Sequence, residues 1–187
     1  MTNRRSPMFH LVSDWVLPAA PERVWAAWAD VSAWPTWWRG PAVRGGKSHW
    51  RGGGHTRHRG MEQATLINDR TVDLVTSGTL PYRLRYRLEV IESDAPRLLI
   101  VRSTGALRGH GTWTLTPTPT PTPAPTPAPA TAPSGTHAHF EWNVEPTGRL
   151  LRLAARLARG ELVRNHQRVM EWGRLGLIAR LRREASG

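Results

Sequence analysis

The sequence of 187 residues contains no cysteine, so disulfide bonds, thiolate zinc sites and a cysteine nucleophile are excluded. It also lacks any run near the roughly 18 apolar residues that a transmembrane helix needs. His10 and Asp14 interrupt the segment that would form the apolar region of a signal peptide. These absences predict a cytoplasmic protein with no integral membrane association.

Lysine is almost missing as well, because Lys47 is the only lysine among 26 basic residues. The formal net charge is +12. Arginine, alanine, proline and glycine are all abundant, a bias typical of GC-rich coding, so the charge is weak evidence for a polyanionic partner. We therefore expect no nucleic-acid partner. For the oligomeric state, we expect a monomer or a homodimer.

Phenylalanine and tyrosine are scarce, with two residues of each, whereas tryptophan occurs ten times. Tryptophan is the bulkiest side chain, and its indole N–H needs a hydrogen-bond partner when it is buried. So many indoles in a chain of this length predict either a thick core or a wide cavity lined with aromatic rings.

Two segments alternate apolar and polar residues, the pattern of a strand that is buried on one face. The first covers residues 9–17, where Phe9, Leu11, Trp15 and Leu17 share a face. The second covers residues 82–92, where arginines occupy the opposite face and the apolar face carries Tyr82, Leu84, Tyr86, Leu88 and Val90.

Helical signals frame the strands. Pro21 and Glu22 favour a short helix, and a second short helix is predicted at about residues 31–38. Residues 149–183 are predicted to form a long helix that Gly160 could divide. The order predicts an α+β fold: a curved antiparallel sheet of about seven strands, two short helices after strand 1, and a long C-terminal helix over the sheet.

Residues 117–133 are a low-complexity tract that holds half of the 16 prolines. Proline cannot donate to a strand ladder, so the tract is predicted to be a disordered hairpin insertion within one domain that covers residues 1–187. The alternative is a ligand for a proline-recognition domain.

Four stretches together resemble the polyketide cyclase/dehydrase branch of the START-like, Bet v 1-like (SRPBCC) superfamily. They are residues 15–38 (WVLPAAPERVWAAWADVSAWPTWW), 80–86 (LPYRLRY), 105–115 (GALRGHGTWTL) and 165–177 (NHQRVMEWGRLGL). The resemblance implies a helix-grip fold with a hydrophobic tunnel between sheet and helix. Superfamily members include aromatase/cyclases and carriers of lipids and ubiquinone, so the resemblance implies a small apolar ligand, no cofactor, and no particular reaction.

His166 is the best candidate for a catalytic residue, because it lies on the apolar face of the terminal helix. There it could hydrogen-bond a ligand carbonyl or transfer a proton, although a histidine in such a place is more commonly a core residue. The residues predicted to bind the ligand are Trp34, Trp37, Trp38, Leu84, Tyr86, Leu88, Trp113, Trp142, His166 and Met170.

His137, His139 and Glu141 share one strand face and are metal-ligand types. They alternate with Phe140 and Trp142, so we expect them to face solvent and predict no metal site.

Three functions remain open at this point: binding of a polyketide-, lipid- or quinone-like molecule, a cyclase or dehydratase that uses acid/base residues in the same cavity, and a protein-interaction module. We rank them in that order.

Overall fold

The computed structural model describes residues 8–43, 57–118 and 135–186. In chain order these contain β1 (Phe9–Leu17), α1 (Pro21–Ala29), a 3-10 turn (Val31–Ala33), α2 (Trp34–Trp37), β2 (Arg39–Val43), β3 (Arg57–Asn68), β4 (Thr71–Ser77), β5 (Arg83–Asp94), β6 (Leu98–Gly105), β7 (Leu107–Thr118), β8 (Gly135–Pro146), α3 (Arg149–Leu157) and α4 (Arg159–Ala185).

The described strands form one antiparallel sheet in the order β1-β8-β7-β6-β5-β4-β3-β2. The predicted fold class is confirmed, although the sheet has eight strands rather than about seven. The additional edge strand is β2, whose Gly40 and Pro41 are poor strand formers and hid it in the sequence. Register shifts within the β2–β3, β3–β4 and β5–β6 pairs bend the sheet into a curved half-barrel.

The alternating pattern of β1 is confirmed, because its apolar residues are buried while Val12 and Val16 of the opposite face are exposed. In β5 the arginines are exposed, and Leu84, Tyr86 and Leu88 are partly covered. The apolar residues of both strands contribute to one continuous core on the concave side of the sheet. One face of the sheet is therefore buried against the core and the other is exposed to solvent.

The single long helix predicted for residues 149–183 is in fact two helices, and the break lies at Ala158 rather than at Gly160. Ala158 leaves the helical region of backbone space with φ −133° and ψ 39°. The buried face of α4 contains Met170, Gly173, Leu177 and Leu181, as the spacing predicts.

Residues 119–133 of the proline-rich tract lie outside the described residues, so its predicted disorder stays a prediction. The strands on either side of it, β7 and β8, pair as far as Thr118 and Gly135. Among the described helices, none is both long enough and apolar enough to cross a bilayer.

Candidate functional site

A cavity of about 130 Å³ lies between the concave face of the sheet and the C-terminal helices. Its walls come from strands β1 and β3 to β8, from the tryptophans around α2, and from α3 and α4. Because the apolar sides of all these elements meet there, most of the lining is aliphatic or aromatic. Each predicted ligand-binding residue except Trp37 is part of that lining.

Trp37 instead packs beside the cavity wall. Its ring stacks on Trp38 with centroids 5.5 Å apart and planes at 19°. Its backbone carbonyl lies directly against Gly176 of α4. Trp34 and Trp38 both reach the cavity, whereas Trp37 supports α4 instead.

Asn165 is a polar residue of the lining that the sequence analysis missed. Its Oδ1 accepts hydrogen bonds from the backbone N–H of Thr79 at 2.7 Å and of Leu80 at 3.3 Å, and from the Thr79 hydroxyl at 3.1 Å. The side chain therefore ties the β4–β5 connection to α4. Its spacing of three from Leu162 and four from Val169 put it on the buried face, but its polarity argued against that placement.

Tyr86 and Thr76 form a second polar pair in the cavity wall. Burial raises the pKa of the Tyr86 phenol to about 12, and a hydrogen bond with Thr76 opposes this change. The phenol is thus a neutral hydroxyl at physiological pH, able to orient a ligand but not to act as a base.

His166 and Trp142 carry the buried polar atoms of the lining that have no partner in the described part of the chain. These atoms are His166 Nε2 and Trp142 Nε1, both buried. The two rings lie 5.9 Å apart between centroids, at 44°. Buried polar atoms are normally hydrogen-bonded, so a pair of orphans beside a cavity points to a polar atom that is supplied by a ligand.

Burial also lowers the pKa of His166 to about 4. The residue as a whole is only half-buried, but its Nε2 is fully enclosed. The imidazole is therefore neutral near pH 7, and Nε2 donates or accepts a hydrogen bond according to the tautomer.

The histidines of β8 lie on the other face of the sheet from Phe140 and Trp142. Asp14 Oδ1 is 2.8 Å from His139 Nδ1 and 3.1 Å from His137 Nε2, and His139 Nε2 is 3.2 Å from Glu141 Oε1. Hydrogen bonds to Asp14 and Glu141 raise the pKa of His139. Within the described ranges, no group of histidine and acidic residues has the arrangement of a metal site.

Solved structures with the same fold share little sequence with this chain. An aromatase/cyclase named Zhui from a Streptomyces species is 12% identical, with a TM-score of 0.59, and 96% of each chain is covered. A conserved protein from Geobacillus kaustophilus is 13% identical, with a TM-score of 0.54, covering 90% of this chain and 95% of its own. These likenesses concern the fold alone.

A START superfamily protein from Mycobacterium smegmatis is also similar, at 12% identity and a TM-score of 0.52, covering 89% of this chain and 96% of its own. Among curated proteins, none matches the sequence. The family described as "Polyketide cyclase / dehydrase and lipid transport" matches residues 8–171, most of the chain. The chain belongs to that family, the polyketide cyclase branch of the START-like superfamily that its own motifs indicated.

Proposed function

We propose that this protein binds one small apolar molecule, of about the size of a single ring and carrying one hydrogen-bonding oxygen, between the sheet and α4. Family and fold indicate a ligand-binding or polyketide-cyclase-like function in general terms. The observation that carries the narrower proposal is an apolar cavity whose lining residues include His166 and Trp142, each with a buried polar atom that has no partner in the described part of the chain.

The volume of the cavity limits the ligand. An apolar cavity of about 150 Å³ in another protein stays dry and admits benzene. The 130 Å³ available here suits a ligand of similar size. A molecule with three or four fused rings would have to displace side chains from close-packed walls, which is costly.

The two unpartnered atoms favour a ligand that carries a polar atom. Leaving a buried donor or acceptor unsatisfied costs about 1–3 kcal/mol. A ligand hydroxyl or carbonyl that accepts from Trp142 Nε1, or pairs with His166 Nε2, relieves that cost. Phenol should therefore bind roughly tenfold or more tightly than benzene, since about 1.4 kcal/mol corresponds to a tenfold change in affinity.

A ligand series tests both limits. Benzene, phenol, 2-naphthol and the three-ring ketone anthrone would each be added to the full chain, with intrinsic tryptophan fluorescence and the rise in Tm as readouts. We expect saturable binding with phenol strongest and anthrone weakest. Equal affinity for benzene and phenol would show that His166 and Trp142 do not contribute to ligand binding. Failure of all four probes to bind would overturn the proposal.

A matched pair of variants locates the site. Leu84 lines the cavity, whereas its neighbour Arg85 points to the opposite, exposed face of β5. Leu84→Trp fills the cavity and should abolish phenol binding, while Arg85→Trp adds the same ring outside and should leave binding unchanged. Equal effects of both variants would place the binding site elsewhere.

Proton-transfer catalysis in the same cavity is the second candidate, with His166 as the transferring group and Tyr86 as a hydrogen-bond partner. With a pKa of about 4, only about one His166 in a thousand is protonated at pH 7, so it is a poor general acid and a weak base. Binding is therefore the better supported function. Turnover of a poly-β-ketone thioester that falls about 10²-fold in His166→Ala, with binding retained, would instead favour catalysis.

A further inference from the structure

Helix α3 exposes a stripe of leucines that no other part of the described chain covers. Leu150, Leu153 and Leu157 are 83%, 52% and 78% exposed. Their spacing of three and four residues places them on one side of the helix. The opposite side contains the buried Ala155 and the partly buried Leu151. A nine-residue helix thus has two apolar faces, and only one of them meets the part of the protein that the structure describes.

Arginines border the exposed stripe. Arg149, Arg152 and Arg156 recur at spacings of three and four, so they form a row beside the leucines. None of the three forms an ion pair with a carboxylate in the described ranges. No acidic residue occurs from position 146 to position 160.

Three of the seven arginines of α4 differ in this respect. Arg164 pairs with Glu161, Arg174 with Glu171 at 2.6 Å, and Arg180 with Glu184 at 2.8 Å. The positive charge of α4 is thus partly neutralised within the helix itself, whereas that of α3 is available to an external anion.

We propose that α3 docks this protein on the surface of a bilayer that contains anionic lipids. Leucines beside arginines are the composition of helices that lie in the interface plane, with the apolar side chains at the acyl boundary and the guanidiniums on lipid phosphates. A second copy of α3 is a poor occupant, because a two-fold contact would set this arginine row near its own image.

The docking face lies on the outer side of a helix whose inner side borders the cavity. Leu151 of α3 and Pro146 just before it both line that cavity. A docked protein would hold the cavity about one helix diameter from the lipids, close enough for an apolar ligand to pass between them. This consequence rests on the proposed function, whereas the docking itself does not.

Vesicle flotation with the full chain tests the docking. Vesicles of phosphatidylcholine alone would be compared with vesicles containing about one third phosphatidylserine, at low and at high salt. We expect flotation only with the anionic vesicles, weakened by salt because surface charges are screened. Absence of flotation with anionic vesicles would overturn the docking proposal, and phenol binding in solution would show that the cavity proposal survives it.

Paired variants distinguish α3 from the general positive charge of the protein. Leu150→Ser with Leu157→Ser should weaken vesicle binding at least about tenfold, since each leucine loses most of its transfer free energy. The control, Leu66→Ser with Leu175→Ser, removes two leucines that are 59% and 52% exposed elsewhere and should have no effect.

The charge is tested in the same way. Arg149→Gln with Arg156→Gln should weaken binding roughly fivefold per arginine. Arg97→Gln with Arg108→Gln removes the same charge from exposed positions in the β5–β6 turn and in β7, and should cost little. Equal losses from both pairs would mean attraction by net charge alone and would refute docking through α3.

Because the chain has no cysteine, a single thiol can report where α3 lies. Leu153→Cys labelled with a polarity-sensitive nitrobenzoxadiazole dye should shift to the blue on anionic vesicles, and Leu175→Cys should not. A blue shift of the Leu153→Cys label in concentrated protein without vesicles would instead identify a second copy as the occupant.

Discussion

His166 should make the stability of this protein depend on pH in a way that a single substitution removes. Its pKa falls from 6.5 in the unfolded chain to about 4 in the folded protein, because burial disfavours the imidazolium. Between these two values the unfolded state binds a proton that the folded state does not. The free energy of unfolding therefore rises with pH across that window. The contribution of the neutral His166 to stability is lost as pH falls from 6.5 toward 4.

The size of the effect follows from the two pKa values. Each pH unit across the window contributes about 1.4 kcal/mol, so the full span amounts to roughly 3 kcal/mol. His166→Leu keeps a side chain of similar bulk, removes the titrating group and removes the unpartnered Nε2. Near pH 7.5 this variant should be as stable as the natural protein or slightly more stable, since an unsatisfied polar atom has gone.

Urea denaturation followed by tryptophan fluorescence, at pH 7.5, 6.5, 5.5 and 4.5, measures the difference directly. Other groups titrate over the same range, so the informative quantity is the free energy of unfolding of His166→Leu minus that of the natural protein at each pH. This difference should grow by about 2.5 kcal/mol from pH 7.5 to pH 4.5, because pH 4.5 still lies slightly above the folded pKa. Parallel curves would show that His166 is not buried as described.

Three further predictions use the same denaturation assay. Gly176→Ala should destabilise the protein by about 1–3 kcal/mol because its Cβ would meet the Trp37 carbonyl, whereas Gly160→Ala, whose nearest neighbour lies 3.6 Å away, should be neutral or stabilising. Asn165→Leu should cost roughly 2 kcal/mol or more by leaving two backbone N–H groups without an acceptor. Hydrogen bonds raise the pKa of His139, so His139→Asn should destabilise the protein below pH 6.5 and progressively less as pH rises through the folded pKa.

The strands that bury one face could be predicted from the sequence because every second residue of such a strand is apolar. β1 and β5 are clear for this reason, and the apolar spacing of α4 likewise identified its inner face. Since both elements present one apolar side, their mutual packing, and with it the helix-grip fold, followed from pattern alone.

The break between α3 and α4 could not be predicted, because alanine is the best helix former and Ala158 gives no stop signal. The reason lies in tertiary contacts of the next residue. The guanidinium of Arg159 lies 4.5 Å from the centroid of the Phe9 ring and donates to the Met8 carbonyl at 2.8 Å. These contacts tie the start of α4 to β1 and turn the chain there.

The apolar lining of the candidate site, and with it His166 and Tyr86, could be predicted from the sequence, whereas Asn165 and Thr76 could not. Side chains such as Leu84 and Trp142 lie on faces that periodicity identifies. Asn165 and Thr76 interrupt such faces, and only the positions of their partners on other elements explain why they are tolerated there. The cavity volume is the small difference between the space that the sheet and helices enclose and the volume of the side chains that fill it. No pattern of residue types along the sequence predicts that difference.

Two fixed contacts explain why the space persists instead of collapsing onto the sheet. Near its middle, α4 rests on the tryptophans of the α2 segment through Gly173 and Gly176, and Trp38 Nε1 donates to the Val169 carbonyl at 2.7 Å. Toward its N-terminal end, Asn165 holds the β4–β5 connection. The helix is thus held at two points with His166 between them. Rigid indole rings form part of the wall, so the remaining side chains cannot rearrange to fill the cavity. The cavity is therefore specified by this sequence and is not a packing defect.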